Sequence, residues 1–330
     1  MSTKPAKASA RAHPQIGGLF YGLRVSKLRV AKRRFTKPAR TYAEQVSLLM
    51  QRGMVIADQA RAAERLQRLN YYRLRGYWMS FEEDAADHAF VTGTTFEQVL
   101  ELYEFDRRLR LLMLDAIESI EVAVRAQWAY WLARDHGPHA HLDPKLGSDR
   151  WLWAENLHEV HAAVTRSQET FIRHGLDAYL DGPPVWAICE VIALGTLSKL
   201  IKGLRSGGTA KRIANEFSLS HELLQSWLHN LTVVRNMCAH HSRLFNRSIP
   251  VRAMRPRYLA PMVAEQWQAN SQRMYNTFLI CLHFMDAVAP LGDWRQRLVA
   301  HVETRPDLLP AMGFPSGWWE GMIWHRRPGA

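Results

Sequence analysis

Residues 96–134 read FEQVLELYEFDRRLRLLMLDAIESIEVAVRAQWAYWLAR. Apolar side chains recur at 96, 99, 100, 103, 109, 112, 113, 116, 117, 120, 124, 128 and 131, in steps of three and four that lay one continuous apolar face along a helix. Thr94 or Thr95 supplies the N-cap, and Asp135-His136-Gly137-Pro138 stops the run. This is the longest helix the sequence predicts, and its apolar face is expected to be buried along its whole length. Glu118, Glu121 and Arg125 fall within about 60° of one another on it. Glu121 and Arg125 form an i,i+4 ion pair of favourable polarity. The stripe reads either as a solvated edge or as a buried orienting pair beside a site.

Helical patterning continues on both sides. Thr41 opens a helix to about Arg52, where Gly53 ends it, and Asp58 caps another through Leu69. A polar helix is expected around 151–175. Gly182-Pro183-Pro184 breaks the chain ahead of an apolar helix from Pro184 to Leu204. Ser220 caps a helix over 221–239 or beyond, and a last long helix is expected over 261–290. Asp307 to Trp324 reads as a Pro/Gly/Trp-rich strap packed on the body. No repeat and no period-two strand run is found, so the fold is expected to be all-α. Asn70 to Trp78 is dense in aromatics and Arg, which suits core packing with Arg stems over rings or stacking on bases.

The 330 residues are 47% hydrophobic and include 3 Cys, which excludes a wholly disordered or collagen-like chain. Cys189, Cys238 and Cys281 are odd in number and far apart, so neither a disulfide framework nor a Cys-based zinc site is expected, and a reducing cytoplasm is the natural compartment. Val185 to Ile201 is the most apolar stretch but contains Glu190 and Lys199, so no membrane span is expected. The formal charge of +12 is uneven: residues 1–40 hold 11 Lys and Arg with no acid, leaving 32 basic against 31 acidic side chains in the rest. The organisation expected is a basic, disordered tail over 1–40, a helical domain over 41–250, and a C-terminal helix and strap over 251–330 on the same body. The tail reads equally as a solubilising segment, an RNA-contacting arm or a presequence of mitochondrial type.

His136, His139, His141 and Asp143 offer four ligand types in one loop, but their spacing matches no standard zinc template. His158-Glu159-Val160-His161 is one residue short of His-Glu-x-x-His, and the glycines at 203–208 lack the Lys-Ser/Thr of a phosphate loop. No metal and no cofactor is expected.

The chemistry concentrates in Leu231-Thr-Val-Val-Arg-Asn-Met-Cys-Ala-His-His-Ser-Arg-Leu-Phe-Asn-Arg247. No Asp or Glu occurs from Leu223 to Ala264, whereas Arg235, Arg243, Arg247, Arg252, Arg255 and Arg257 lie inside it, a field that favours a polyanion. On a regular helix Arg235 and His240 are about 140° apart, whereas Asn236, His240, Arg243 and Arg247 would share a stripe if the helix continued. An imidazole, an amide and several guanidinium groups on one face suit RNA cleavage. The imidazole can take a proton from a 2′-hydroxyl or give one to the leaving 5′-oxygen, while Arg stabilises charge on phosphorus, and no metal is needed. The same residues also read as a helix-end cap beside a solvated Arg cluster.

Several motifs resemble, in order, the Abi-type abortive-infection family (AbiD/AbiF-like), whose members belong to the HEPN superfamily. These are Thr41-Tyr42-x-Glu44-Gln45, Leu69 to Trp78, Phe96-Glu97-x-Val99 with Leu102 to Arg110, Ile117 to Arg125, Pro184-Val185-Trp186 with Glu190, Val234 to Arg247, and Met312-Gly313-Phe314-Pro315 with Trp318 and Trp324. The resemblance implies a HEPN-like helical bundle in which Arg235-x4-His240 is the ribonuclease motif. It implies a homodimer whose two motifs meet in one composite site, with His240 as acid/base, Arg235 on the phosphate and Asn236 orienting. His241, Glu118, Glu121 and Arg125 are the expected supporting residues, and Arg243, Arg247, Arg252, Arg255 and Arg257 the RNA-binding ones. The implied role is phage defence by RNA cleavage, restrained until infection by an antitoxin, a bound noncoding RNA or a latch. Two other readings stand beside it: a non-catalytic protein that holds a structured RNA on the same face, and a metal-dependent hydrolase built on the His136–Asp143 loop.

Overall fold

The computed structural model describes Arg34, residues 36–83 and residues 87–325. Most of the basic 1–40 segment therefore lies outside the described residues. The chain separates into two units, Met1–Thr41 and Tyr42–Ala330, and every helix among the described residues belongs to the second.

Thr95 begins the central post with a capping box: its hydroxyl accepts from the Gln98 N–H, and the Gln98 side chain accepts from the Thr95 N–H. Fourteen α-helices occur among the described residues. They are α1 (Tyr42–Gln51), α2 (Gln59–Leu69), α3 (Tyr71–Trp78), α4 (Phe96–His136), α5 (Arg150–Arg166), α6 (Thr170–Ala178), α7 (Val185–Val191), α8 (Leu194–Gly203), α9 (Gly208–Asn215), α10 (His221–Ala239), α11 (Pro261–Gln266), α12 (Met274–Val288), α13 (Trp294–Glu303) and α14 (Met322–His325). Only isolated bridges stand in for β-structure among the described residues, so the fold is all-α. No described helix is long and apolar enough to cross a membrane.

The 41-residue α4 touches α3, α7, α8, α9, α10, α12 and α13. Val99, Leu109, Met113, Val124, Trp128 and Leu132 are fully buried along it, which is why a single helix can organise so many neighbours. The Trp-rich strap meets α12 through its rings. Phe314 lies 4.9 Å from the Tyr275 ring and 5.7 Å from that of Phe278, both on α12, and Trp318 and Trp324 close over it. The three cysteines are free and buried. Around Asn70–Trp78 the core reading fits Leu74, Tyr77 and Trp78, which are buried, while Tyr72 stands 73% exposed.

Three expected helices are each two. The 151–175 helix breaks after Arg166, where the Ser167 hydroxyl accepts from the Glu169 N–H at 3.2 Å. The 184–204 helix breaks at Ile192, whose carbonyl accepts from Arg125 at 2.8 Å, so a side chain from α4 ends α7 where no Gly or Pro does. The 261–290 helix breaks at Trp267. There the buried Asn276 side chain accepts from the Gln268 N–H at 3.0 Å and donates to its carbonyl at 2.8 Å, holding the connection open.

Candidate active site at the end of α10

The Ser220 hydroxyl caps α10 by accepting from the Leu223 N–H at 3.2 Å. Leu228, Leu231, Val234 and Cys238 face the core, and burial pushes the Cys238 thiol up to about 12. The opposite side presents half-buried Arg235 and exposed Asn236, Ala239 and His240, with Arg235 Nη1 donating to Asn236 Oδ1 at 3.4 Å.

The helix does not continue through His240. The Ser242 N–H donates to the Met237 carbonyl at 2.7 Å and the His241 N–H to the Cys238 carbonyl at 2.9 Å, while His241 adopts φ 56°. This is a Schellman stop with histidine at the left-handed position that glycine usually takes. The conditional stripe of Asn236, His240, Arg243 and Arg247 therefore does not form. Arg243 turns inward, half-buried, and donates to the Gly76 carbonyl, so it ties the loop to α3 rather than facing outward with His240. Arg73 adds a second tie from α3, its Nη1 donating to the His241 carbonyl at 2.9 Å. The imidazoles of His240 and His241 are exposed and have no hydrogen-bond partner among the described residues.

Beneath this turn lies a buried polar knot. Asp106 of α4, 0% exposed, accepts from the Leu244 and Phe245 N–H groups at 3.0 and 2.7 Å, from the Tyr77 hydroxyl at 2.8 Å and from Arg110. Arg110 also donates to the Tyr77 hydroxyl at 3.1 Å. Burial raises the Asp106 carboxyl above its ordinary value, against the pull of Arg110 and the other donors, and burial likewise raises the Tyr77 phenol. The knot fixes where the chain goes as it leaves His240–His241. Asp106, Arg110, Tyr77 and Arg73 were not among the expected site residues. The signal for the first two was present, because 106 is the position skipped between apolar 103 and 109, and Arg110 follows it by four.

The other expected residues fall in separate places. Glu121 is buried and pairs with Arg125, whose guanidinium also donates to the Glu190 and Ile192 carbonyls at 3.0 and 2.8 Å; this pair pins the end of α7. Glu118 is exposed. Arg252, Arg255 and Arg257 are exposed on a return segment that lies beside the middle of α10. There the Met254 N–H donates to Ser226 Oγ at 2.7 Å, and Asn230 Nδ2 donates to the Val251 carbonyl at 3.3 Å. The acid-free segment is thus split between the end of α10 and its flank. Of the expected arginines, Arg247 alone stays exposed on the loop that follows His240.

The histidines of the 136–143 loop go to different partners. His136 Nε2 meets Thr209 Oγ1 at 2.9 Å, His139 Nε2 meets the Gly182 carbonyl at 3.2 Å, and His141 is buried with Nδ1 unpartnered. Burial, then the nearby His139, lowers His141 to about 4. No group of three or more His, Cys, Asp or Glu side chains able to hold a metal occurs among the described residues. A groove of about 850 Å³ lies elsewhere, lined by Phe171, Tyr179, Leu180 and Trp186, and includes none of the residues at the end of α10.

A family model described as Abi-like protein matches residues 64–246, more than half of the chain. The chain belongs to the Abi-like protein family. That membership supports a role in abortive-infection defence against phage. The Abi-like match takes in Arg73, Asp106, Arg110 and the turn from Arg235 to Asn246, and stops before Arg247. No curated protein and no solved structure matches the chain.

Proposed function

We propose that this Abi-like protein is a HEPN-type endoribonuclease that cleaves RNA in the cytoplasm during phage defence. The observation that carries the reading is the end of α10: an exposed, unpartnered His240 follows Arg235 and Asn236 on a turn that buried Asp106 holds in place. In the proposed reaction the RNA 2′-oxygen attacks phosphorus as its proton passes to an imidazole. The P–O5′ bond breaks, the leaving oxygen takes a proton, and the products are a 2′,3′-cyclic phosphate and a 5′-hydroxyl. His240 serves as acid/base, Arg235 stabilises the phosphorane charge and Asn236 orients the phosphate. The step needs both a base and an acid, which a second copy of the motif in a homodimer supplies. An antitoxin, a bound noncoding RNA or a conformational latch restrains the activity before infection.

The test is incubation of the purified dimer with total RNA, with end chemistry read on the fragments, for wild type and His240→Ala. Cyclic-phosphate ends from wild type alone support the reading. Persistent RNA binding with no cutting by wild type, even after addition of a phage lysate, replaces it with an RNA-holding protein.

A further inference from the structure

Arg273 lies beyond both the family match and the acid-free segment, yet the fold delivers it to the loop that follows His240. The Ile249 N–H donates to the Gln272 carbonyl at 2.8 Å, and Arg273 Nη1 donates to Asn246 Oδ1 at 2.8 Å. Asn246 itself has φ 47°, a left-handed conformation that its short polar side chain tolerates. On the other side the strap backs the Arg273 stem: Gly313 has φ 89°, and a Cβ there would stand 2.7 Å from the Arg273 Cβ. Arg273 is thus held in place by two separate parts of the chain.

Its neighbours are also cationic. Arg247, adjacent to Asn246, is exposed, and Arg243 sits on the inner side with its guanidinium on the Gly76 carbonyl. Burial lowers the Arg243 pKa, the charges of Asp106 and Tyr77 oppose that, and those of Arg247 and Arg273 add to the lowering. The acid whose charge acts on Arg243 is Asp106, which is fully buried and engaged by Arg110, Tyr77 and two N–H groups. No carboxylate pairs with Arg247 or Arg273 among the described residues. Three gathered guanidinium groups repel one another unless an anion joins them.

We propose that Arg247 and Arg273, backed by Arg243, form a second phosphate subsite, which holds the RNA backbone beside the phosphodiester presented to Arg235 and His240. This rests on the RNA-cleaving reading for its ligand but not for its test. A 2′-O-methyl oligonucleotide has no free 2′-hydroxyl and cannot be cut, so its binding is read apart from cleavage. Fluorescence anisotropy of this strand on the full chain across a potassium chloride series gives the slope of log affinity against log salt. Each phosphate contact contributes about 0.7 to that slope for a single strand. Arg247→Gln and Arg273→Gln should each lower the slope by about 0.7 and the double variant by about 1.4, while the Lys variants keep it.

Arg247 is exposed, so its Gln variant folds and carries the test even if Arg273→Gln does not. An unchanged slope and affinity for Arg247→Gln overturns the subsite, as does a wild type that does not bind the strand. If wild type cuts no RNA while the Arg variants lose slope, the subsite stands and the nuclease reading falls. If cutting is intact and the slope unchanged, the reverse holds.

Discussion

Asp106 holds a charge, a phenol and two backbone N–H groups at once, and the pieces can be separated by mutation. Asp106→Asn keeps the volume but removes the charge facing Arg110 and points an amide NH₂ at donors. Removing one partner of a buried pair costs about 3–5 kcal/mol. The paired variant Asp106→Leu with Arg110→Met removes both charges, and replacing a buried pair by apolar side chains is often close to neutral. Were Asp106 only half of an ion pair, that double variant would recover wild-type stability. It also serves the Leu244 and Phe245 N–H groups at 3.0 and 2.7 Å and the Tyr77 hydroxyl at 2.8 Å, and all three are left unpaired in the double variant, since Arg110, the hydroxyl's other partner, is gone as well. An unsatisfied buried donor costs about 1–3 kcal/mol, and neighbours do not add fully, so a residual loss of about 2–4 kcal/mol is expected. Urea unfolding followed by circular dichroism measures it, provided the m value is unchanged. Hydrogen exchange at the two amides locates it. A double variant as stable as wild type, with Leu244 and Phe245 still protected, would refute the idea that Asp106 positions the turn after His240.

Three further outcomes are expected. His141 is buried and held near pKa 4 against about 6.5 when unfolded, so the unfolded chain takes up a proton that the folded chain refuses between those values. Stability should therefore fall by about 3 kcal/mol as pH drops from 6.5 to 4, and His141→Leu should flatten that part of a pH series of urea midpoints. Replacing His241 by Gly relieves the φ of 56° while keeping the carbonyl that accepts from Arg73, and should raise the unfolding free energy by about 1 kcal/mol; a loss of that size would mean the imidazole supports the fold. Gly313→Ala adds a methyl 2.7 Å from the Arg273 Cβ at φ 89° and should cost about 1–3 kcal/mol, read as a lower Tm, whereas an unchanged Tm would show that the strap yields there.

The long helix was legible because its caps and its apolar steps are both local, and Thr95 and the glycine after His136 bound it as their chemistry requires. The breaks inside the expected 184–204 and 261–290 helices were not, since tertiary partners make them: Arg125 takes the carbonyls at the end of α7, and Asn276 bridges to Gln268. The same holds at the site. Ser220 marks where α10 begins and the histidines after Ala239 read as a helix-end cap, but the glycine conformation of His241 is not announced by anything local in the sequence. The acid-free run was legible as charge. Its division into a loop and a flank depends on Trp227 and Asn230 bonding the return segment, contacts about one to two helical turns from Arg235. Arg273 could not be found from charge patterning, because Glu265 lies between it and the run.

The two polar pairs on α4 bear on how chains of this family can change length. Asp106 meets backbone atoms of residues 244 and 245, and Arg125 meets those of residues 190 and 192, from positions about 28 Å apart on one rigid helix. Backbone contacts survive side-chain replacement at the positions they touch, but they do not survive a shift of register. Insertions and deletions should therefore be excluded from the two corners that follow α7 and α10, whatever residues occupy them.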